Sequence, residues 1–183
     1  MIPTRKQCLA LFDRYGLPSQ KRIHVEAVAR LALFLAKKLQ DKGLNIDLSL
    51  VEAAALLHDV DKNAPKRAGE RHPDTAVRLL NELGLTEVAA VVRKHSLHAI
   101  LDPELMPQTW EEKLVYLSDK MTKYEVIGVD HRFRLWYAER LPPEAVAQLN
   151  TSFPKVKALE TEIYKAAGIT FADIHKERSG PDI

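Results

Sequence analysis

Apolar residues recur along this chain at intervals of three and four, and the alternation that marks half-buried strands is almost absent. The spacing predicts a first helix over 4–15, ended by Gly16 and Pro18. A second opens at Ser19, a residue type suited to capping, and carries Ile23, Ala27, Val28, Leu31, Phe34, Leu35 and Leu39 until about Gly43. A third begins at Asp47 or Ser49 and runs through Val51 and Ala54 to Leu57. Charge, Pro65 and Gly69 make 61–71 a loop. Pro73 suits the first turn of a fourth helix that ends at Leu83 and Gly84. Thr86 is expected to cap a fifth, bearing Val88, Val91 and Val92, and Pro103 and Pro107 punctuate a second loop. Thr109 with Glu112 forms a capping box for a long helix reaching about Ile127. Asp130 is expected to cap a short amphipathic segment with Phe133, Leu135, Trp136 and Tyr137. Pro143 starts a last long stretch with Val146, Leu149, Phe153, Val156, Leu159 and Ile163, and Pro154 should break or kink it. Residues 179–183 should fray. No repeat, low-complexity run or linker divides the sequence. The expectation is a single all-α domain over 1–183.

Four polar side chains fall where this pattern wants apolar ones. Helix neighbours share a face at i±3, i±4 and i±7. His24 is in line with Val28, Leu31 and Leu35; His58 with Val51, Ala54 and Ala55; His95 with Val88, Val91 and Val92. Asp119 stands near Val115 and Tyr116. Each alone reads as a core histidine bonded to a carbonyl, or as a carboxylate serving a cap or ion pair. Four together, on separate helices, need a common solution, because burying each without a partner costs several kcal/mol. A metal ion supplies one: imidazole and carboxylate are ligands for Zn, Fe, Mn, Co or Ni. Asp59 follows His58 directly. The two side chains point about 100° apart on a helix, so both reach one ion only if it lies near the face between them.

Composition narrows the function. With 46% hydrophobic and 28% charged residues, the chain has an ordinary globular make-up, long enough to bury a core without staples. Lysine and arginine number 27 against 25 acidic residues, and a net charge of +2 argues against nucleic-acid binding by bulk charge. Cys8 is the single cysteine, which excludes an internal disulfide and a cysteine-based zinc site. No apolar run approaches the roughly 20 residues of a membrane span; the best, at 31–36, is cut off by Lys37 and Lys38. Residues 1–6 lead into no apolar signal segment, and the expected address is the cytoplasm. Walker-type loops, a serine nucleophile elbow and a catalytic setting for Cys8 are all missing.

The order His24, His58-Asp59, Asp119 resembles the HD-domain metal-dependent phosphohydrolases. The stretch AAALLHDVDK is similar to that family's Leu-Leu-His-Asp run, and EEKLVYLSDK to the segment bearing its final Asp. The resemblance implies an all-α HD-type bundle, with a core about 19–127 and C-terminal helices about 130–175. It further implies that His24, His58, Asp59 and Asp119 bind one divalent metal. A subset of the family adds two histidines for a second ion with the Asp of the pair bridging, and His72 and His95 resemble these. His72 could instead serve as a local cap; His98 reads as a surface residue or as a substitute for His95. His131 and His175 have no such context. One departure stands out: many relatives have Gly two residues after the His-Asp pair, where this chain has Asp61. That residue alters the turn or adds a carboxylate beside the ligands.

Lys62 lies one turn after His58, in the position where relatives often carry Lys, and is the expected phosphate contact. Lys66, Arg67, Arg71, Arg93, Lys94 and Lys120 bring further cations into the same segments. The resulting expectation is hydrolysis of a nucleotide or other small phosphate ester or anhydride by a metal-bound hydroxide, with Asp59 and Lys62 as the catalytic residues. The metal is one or two ions of Fe, Mn, Co, Ni or Zn, with Mg also open. No membrane or nucleic-acid partner is expected, and the oligomeric state stays open. The alternatives are a metal-stabilised nucleotide-binding or regulatory module without turnover, and a helical interaction protein whose histidines are structural.

Overall fold

The helices form where the apolar periodicity predicts them. The computed structural model describes residues 1–177; among them are α1 (Arg5–Arg14), α2 (Ser19–Gln40), α3 (Leu48–Leu57), α4 (Asp74–Glu82), α5 (Thr86–Arg93), α6 (Trp110–Lys120), α7 (Val129–Tyr137), α8 (Pro143–Ala167) and α9 (Phe171–Glu177). A 3-10 turn spans Leu97–Leu101, and the only strand-like feature among these residues is an isolated bridge between Thr122 and Val126. The expected fraying of 179–183 lies outside the described residues. None of the described helices is long and apolar enough to cross a membrane.

α2 runs through the middle and packs against α3, α6 and α8, while α3 also meets α1, α5 and α6. Val28, Leu35 and Leu39 of α2 are buried completely, as are Leu56, Leu57, Leu80, Leu114 and Leu117 from the helices around it. Each such leucine contributes about 1.5–3 kcal/mol by leaving water. The C-terminal α7 and α8 pack on each other, and Val129, Phe133, Leu149, Val156 and Ile163 join the same apolar cluster.

Several boundaries differ from expectation. Ser19 and Thr86 are the first residues of α2 and α5; Pro18 and Leu85 occupy the capping positions, and neither makes a side-chain cap bond. Asp130 lies in the first turn of α7 behind Gly128 and pairs with Lys157 at 2.7 Å instead of capping. Gly128 has φ of 82°, and a Cβ there would come within 2.8 Å of the Phe171 ring, so the turn requires glycine on two grounds. Pro154 does not break α8, which continues on both sides of it. Its ring sits on the exposed face, so the carbonyl it frees can bond to water.

The largest difference is α6. It stops at Lys120, well short of Ile127. The Met121 carbonyl instead accepts from the amides of both Ile127, at 2.8 Å, and Gly128, at 3.0 Å, folding residues 121–128 into a tight turn. At the other end of α6 the expected capping box is present: Thr109 accepts from the Glu112 amide and the Glu112 carboxylate from the Thr109 amide. Replacing Thr109 by Ala should cost about 1 kcal/mol, lowering the melting midpoint by about 2–4 °C in a chain of this size. A calorimetric scan of the variant checks this, and an unchanged midpoint would show the cap to be idle.

Candidate metal centre

Five elements deliver one polar cluster. α2 presents His24, and His58 sits immediately past the last residue of α3 with helical backbone angles, Asp59 following it into the turn. His72 stands just ahead of α4, His95 just past α5, and Asp119 in the last turn of α6. His58 is fully buried; His24, Asp59 and His95 are nearly so, and His72 is a quarter exposed.

What aims these rings is the backbone. The Nδ1 atoms of His24, His58 and His95 lie 2.7, 2.7 and 2.6 Å from the carbonyl oxygens of Lys123, Ala55 and Val92. A carbonyl only accepts, so each Nδ1 carries a proton, and whenever the ring is neutral its lone pair is left at Nε2. The carboxylate of Asp61, 2.9 Å away, does the same for Nδ1 of His72. Yet those Nε2 atoms converge. His24 and His58 face each other at 3.3 Å, with Asp119 Oδ1 at 3.0 and 3.6 Å. His72 and His95 face each other at 2.8 Å, with Asp59 Oδ1 at 3.4 and 3.9 Å. Lone pairs set against lone pairs and carboxylates repel unless a proton or a metal cation lies among them. The donor set therefore fits a metal, and histidines held in this way are oriented as metal-ligating imidazoles are.

The cluster divides into two groups, His24–His58–Asp59 and Asp59–His72–His95, each with its ligand atoms within 4.8 Å of one another and both including Asp59. The two groups adjoin, since the His58 and His95 rings are 4.9 Å apart.

The electrostatics follow from this crowding. Burial favours the protonated Asp59 carboxyl, but His58, Lys62 and His95 outweigh it and hold its pKa far below the carboxylate range. Asp119 is likewise ionised against its burial, chiefly by Lys120 and then by His24 and His58. Burial pulls His58 toward neutrality, while Asp59 and Asp119 more than restore the charged form, so its pKa lies above the ordinary value. His95 is pushed well below that value, by burial first and then by the neighbouring imidazoles and Lys120.

His24, His58, Asp59, His72, His95 and Asp119 thus come together as their positions suggested. Asp61 lies beside the cluster and holds the His72 ring. His98 does not join: it is exposed on the 3-10 turn. His131 and His175 are exposed on α7 and α9.

The basic residues sort differently from their sequence grouping. Lys62 reaches Asp59 Oδ1 at 3.2 Å. Lys120 is buried between the Asp119 carboxylate and the His95 carbonyl, so it braces the site from behind. Burial lowers its pKa, and Asp119 acts against that. Lys94 pairs with Glu112 and Arg67 with Glu82, while Lys66, Arg71 and Arg93 are exposed. Sequence reasoning missed Lys21, whose ammonium meets Asp59 Oδ2 at 3.0 Å. Its signal was available, because it precedes His24 by three residues and so shares its helical face.

A helical bundle with an imidazole–carboxylate cluster of this order has the features of an HD-type metal site. The HD domain family matches residues 22–124, more than half of the chain, and the chain belongs to that family. It is similar to the tRNA (cytidine(56)-2'-O)-methyltransferase of Thermoplasma volcanium, with 31% identity over 132 residues, covering 66% of this chain and 37% of that protein. It is also similar to an uncharacterised protein of Methanocaldococcus jannaschii, with 29% identity over 109 residues, 54% of this chain and 63% of that one. The chain spans less than two thirds of either relative. No solved structure matches it with significance.

The protonation of His58 gives a pH-dependent expectation. Its folded pKa is raised above the ordinary 6.5, so in the metal-free protein its charge contributes stability that is fully present below pH 6.5 and lost as pH rises through the folded value. A divalent ion competes with protons for the same nitrogens. The rise in melting temperature when Mn²⁺ is added to chelator-treated protein should therefore grow between about pH 5.5 and 8. Scans across that range check it, and an increment independent of pH would mean that these imidazoles do not receive the ion.

Proposed function

We propose that this protein is a metal-dependent phosphohydrolase for a small phosphorylated substrate, in the first instance a nucleotide. The observation that carries the reading is the convergence of four imidazole Nε2 atoms, each with its Nδ1 already bonded, on Asp59 and Asp119. In this reading His24, His58, Asp59 and Asp119 hold one divalent ion, and His72 and His95 hold a second with Asp59 between the two. The mixed N and O donors suit Fe, Mn, Co, Ni or Zn, with Mg also open. When bound, such ions supply Lewis-acid polarisation of a phosphoryl oxygen and lower the pKa of water.

The chain's own groups do the rest. Asp59 and Asp119 are ionised against their burial and so are ready to bind cations without first losing a proton. Lys62 and Lys21 approach opposite oxygens of Asp59. A phosphate draws both ammonium groups to itself through charge-assisted bonds, and there they offset negative charge developing on its oxygens. Asp61 and Lys120 fix His72 and Asp119 from outside the ligand set.

A second reading is a ligand-binding regulatory domain without turnover, favoured by the match to 37% of a longer enzyme that bears a tRNA-methylation name. Phosphate release from a nucleotide panel under each metal separates the two. In the hydrolase reading His58→Ala and Asp59→Ala abolish release and lower bound metal, whereas His131→Ala and His175→Ala change neither. Full metal and activity in His58→Ala would refute the assignment.

The second ion has its own test. Reconstituted protein should hold roughly two ions per chain, falling to roughly one in the His72→Ala, His95→Ala double variant. Asp61→Ala should weaken the second ion alone by about 10–100-fold. Elemental analysis and metal titration read this out; a single ion unaffected by all three substitutions would leave only the mononuclear centre.

A further inference from the structure

Tyr124 is one of the few large apolar side chains that this fold leaves in water, 47% exposed, and it stands at the rim of the metal cluster. The residue before it, Lys123, gives its carbonyl to His24 Nδ1 at 2.7 Å, so the Tyr124 backbone lies directly behind a ligand ring. Its hydroxyl donates to Gln20 Oε1 at 3.4 Å, which directs the ring along α2 toward the turn that carries Lys21. Lys123 Nζ lies over one face of the ring, 5.7 Å from its centroid, so a base would stack on the opposite face. Ile23, 53% exposed, is three residues after Gln20 and therefore on the same side of α2. An aromatic face, an exposed aliphatic group and a side-chain amide thus lie together, on the flank of the site where Lys21 meets Asp59.

We infer that Tyr124 is the stacking platform for a nucleobase, with Gln20 beside the base edge and Lys21 and Lys62 at the phosphate end. The inference deepens the phosphohydrolase reading and rests on it for the phosphate end. Stacking on tyrosine needs only a π-face, so it recognises the class of nucleotides rather than one base. A sugar phosphate without a base gains nothing from it. Gln20, whose amide both donates and accepts, gives base preference by contact with exocyclic groups.

The test is calorimetric binding of AMP, GMP, CMP, UMP and ribose 5-phosphate to Mn²⁺-loaded protein, with phosphate release and metal content measured in parallel. The wild type should bind at least one nucleotide about tenfold more tightly than ribose 5-phosphate. Tyr124→Ala should lose that advantage and leave ribose 5-phosphate binding unchanged; Tyr124→Phe should keep it. Metal content should be the same in all three proteins. The proposal is overturned if no nucleotide binds better than ribose 5-phosphate, or if Tyr124→Ala binds nucleotides as the wild type does. It is equally overturned if Tyr124→Ala loses metal, because the ring then props His24 instead of holding a base. Nucleotides that bind through Tyr124 and release no phosphate leave the base subsite standing and remove the hydrolase reading. Phosphate release that is indifferent to Tyr124 does the reverse.

Discussion

Capture of histidine Nδ1 by fixed acceptors is the constraint on which this structure turns. A backbone carbonyl is an acceptor without alternatives, so a ring pinned to it has one tautomer and one direction. Three carbonyls, from α3, α5 and the turn after α6, do this for His58, His95 and His24, and Asp61 does it for His72. Each bond takes up the Nδ1–H and, in the neutral ring, leaves Nε2 as an acceptor pointing at other acceptors. The centre is thereby built as a concentration of lone pairs and carboxylates that suits a cation.

That constraint explains features of the fold that packing alone does not. α6 ends immediately after Asp119, although the sequence beyond it is apolar enough to continue. A helix continued to Ile127, as the apolar pattern suggests, would bond the Lys123 carbonyl to the Ile127 amide; the turn frees it to receive His24. The burial of Lys120 has the same origin. Its ammonium joins Asp119, which faces His24 and His58, to the backbone carbonyl of His95, so the ends of α5 and α6 are set by one group.

Asp59 and Asp61 divide two tasks between neighbouring turns. Asp59 belongs to both candidate metal-binding groups and is met by Lys21 and Lys62. Asp61 is 1% exposed and turned toward His72. A glycine at that position would leave the His72 ring without its partner, so the chain's departure from the family's common residue is tied to its use of His72.

The sequence by itself determined the all-helical class, most helix positions and the identity of the cluster. Those are properties of local periodicity and of residue types that cannot be buried unpaired, so His24, His58, His95 and Asp119 were legible from the faces they occupy. His72 was legible only through resemblance, since it lies in a loop where no periodicity acts on it. The ends of α6 and the roles of the lysines were decided by tertiary structure. Lys62, Lys120 and Lys21 look alike in one dimension, but one is exposed beside Asp59, one is sealed behind Asp119, and one reaches Asp59 from another helix. A charged side chain's role depends on which carboxylate lies within a few ångströms and on how much water remains around it. Both are fixed only when helices distant in sequence pack together.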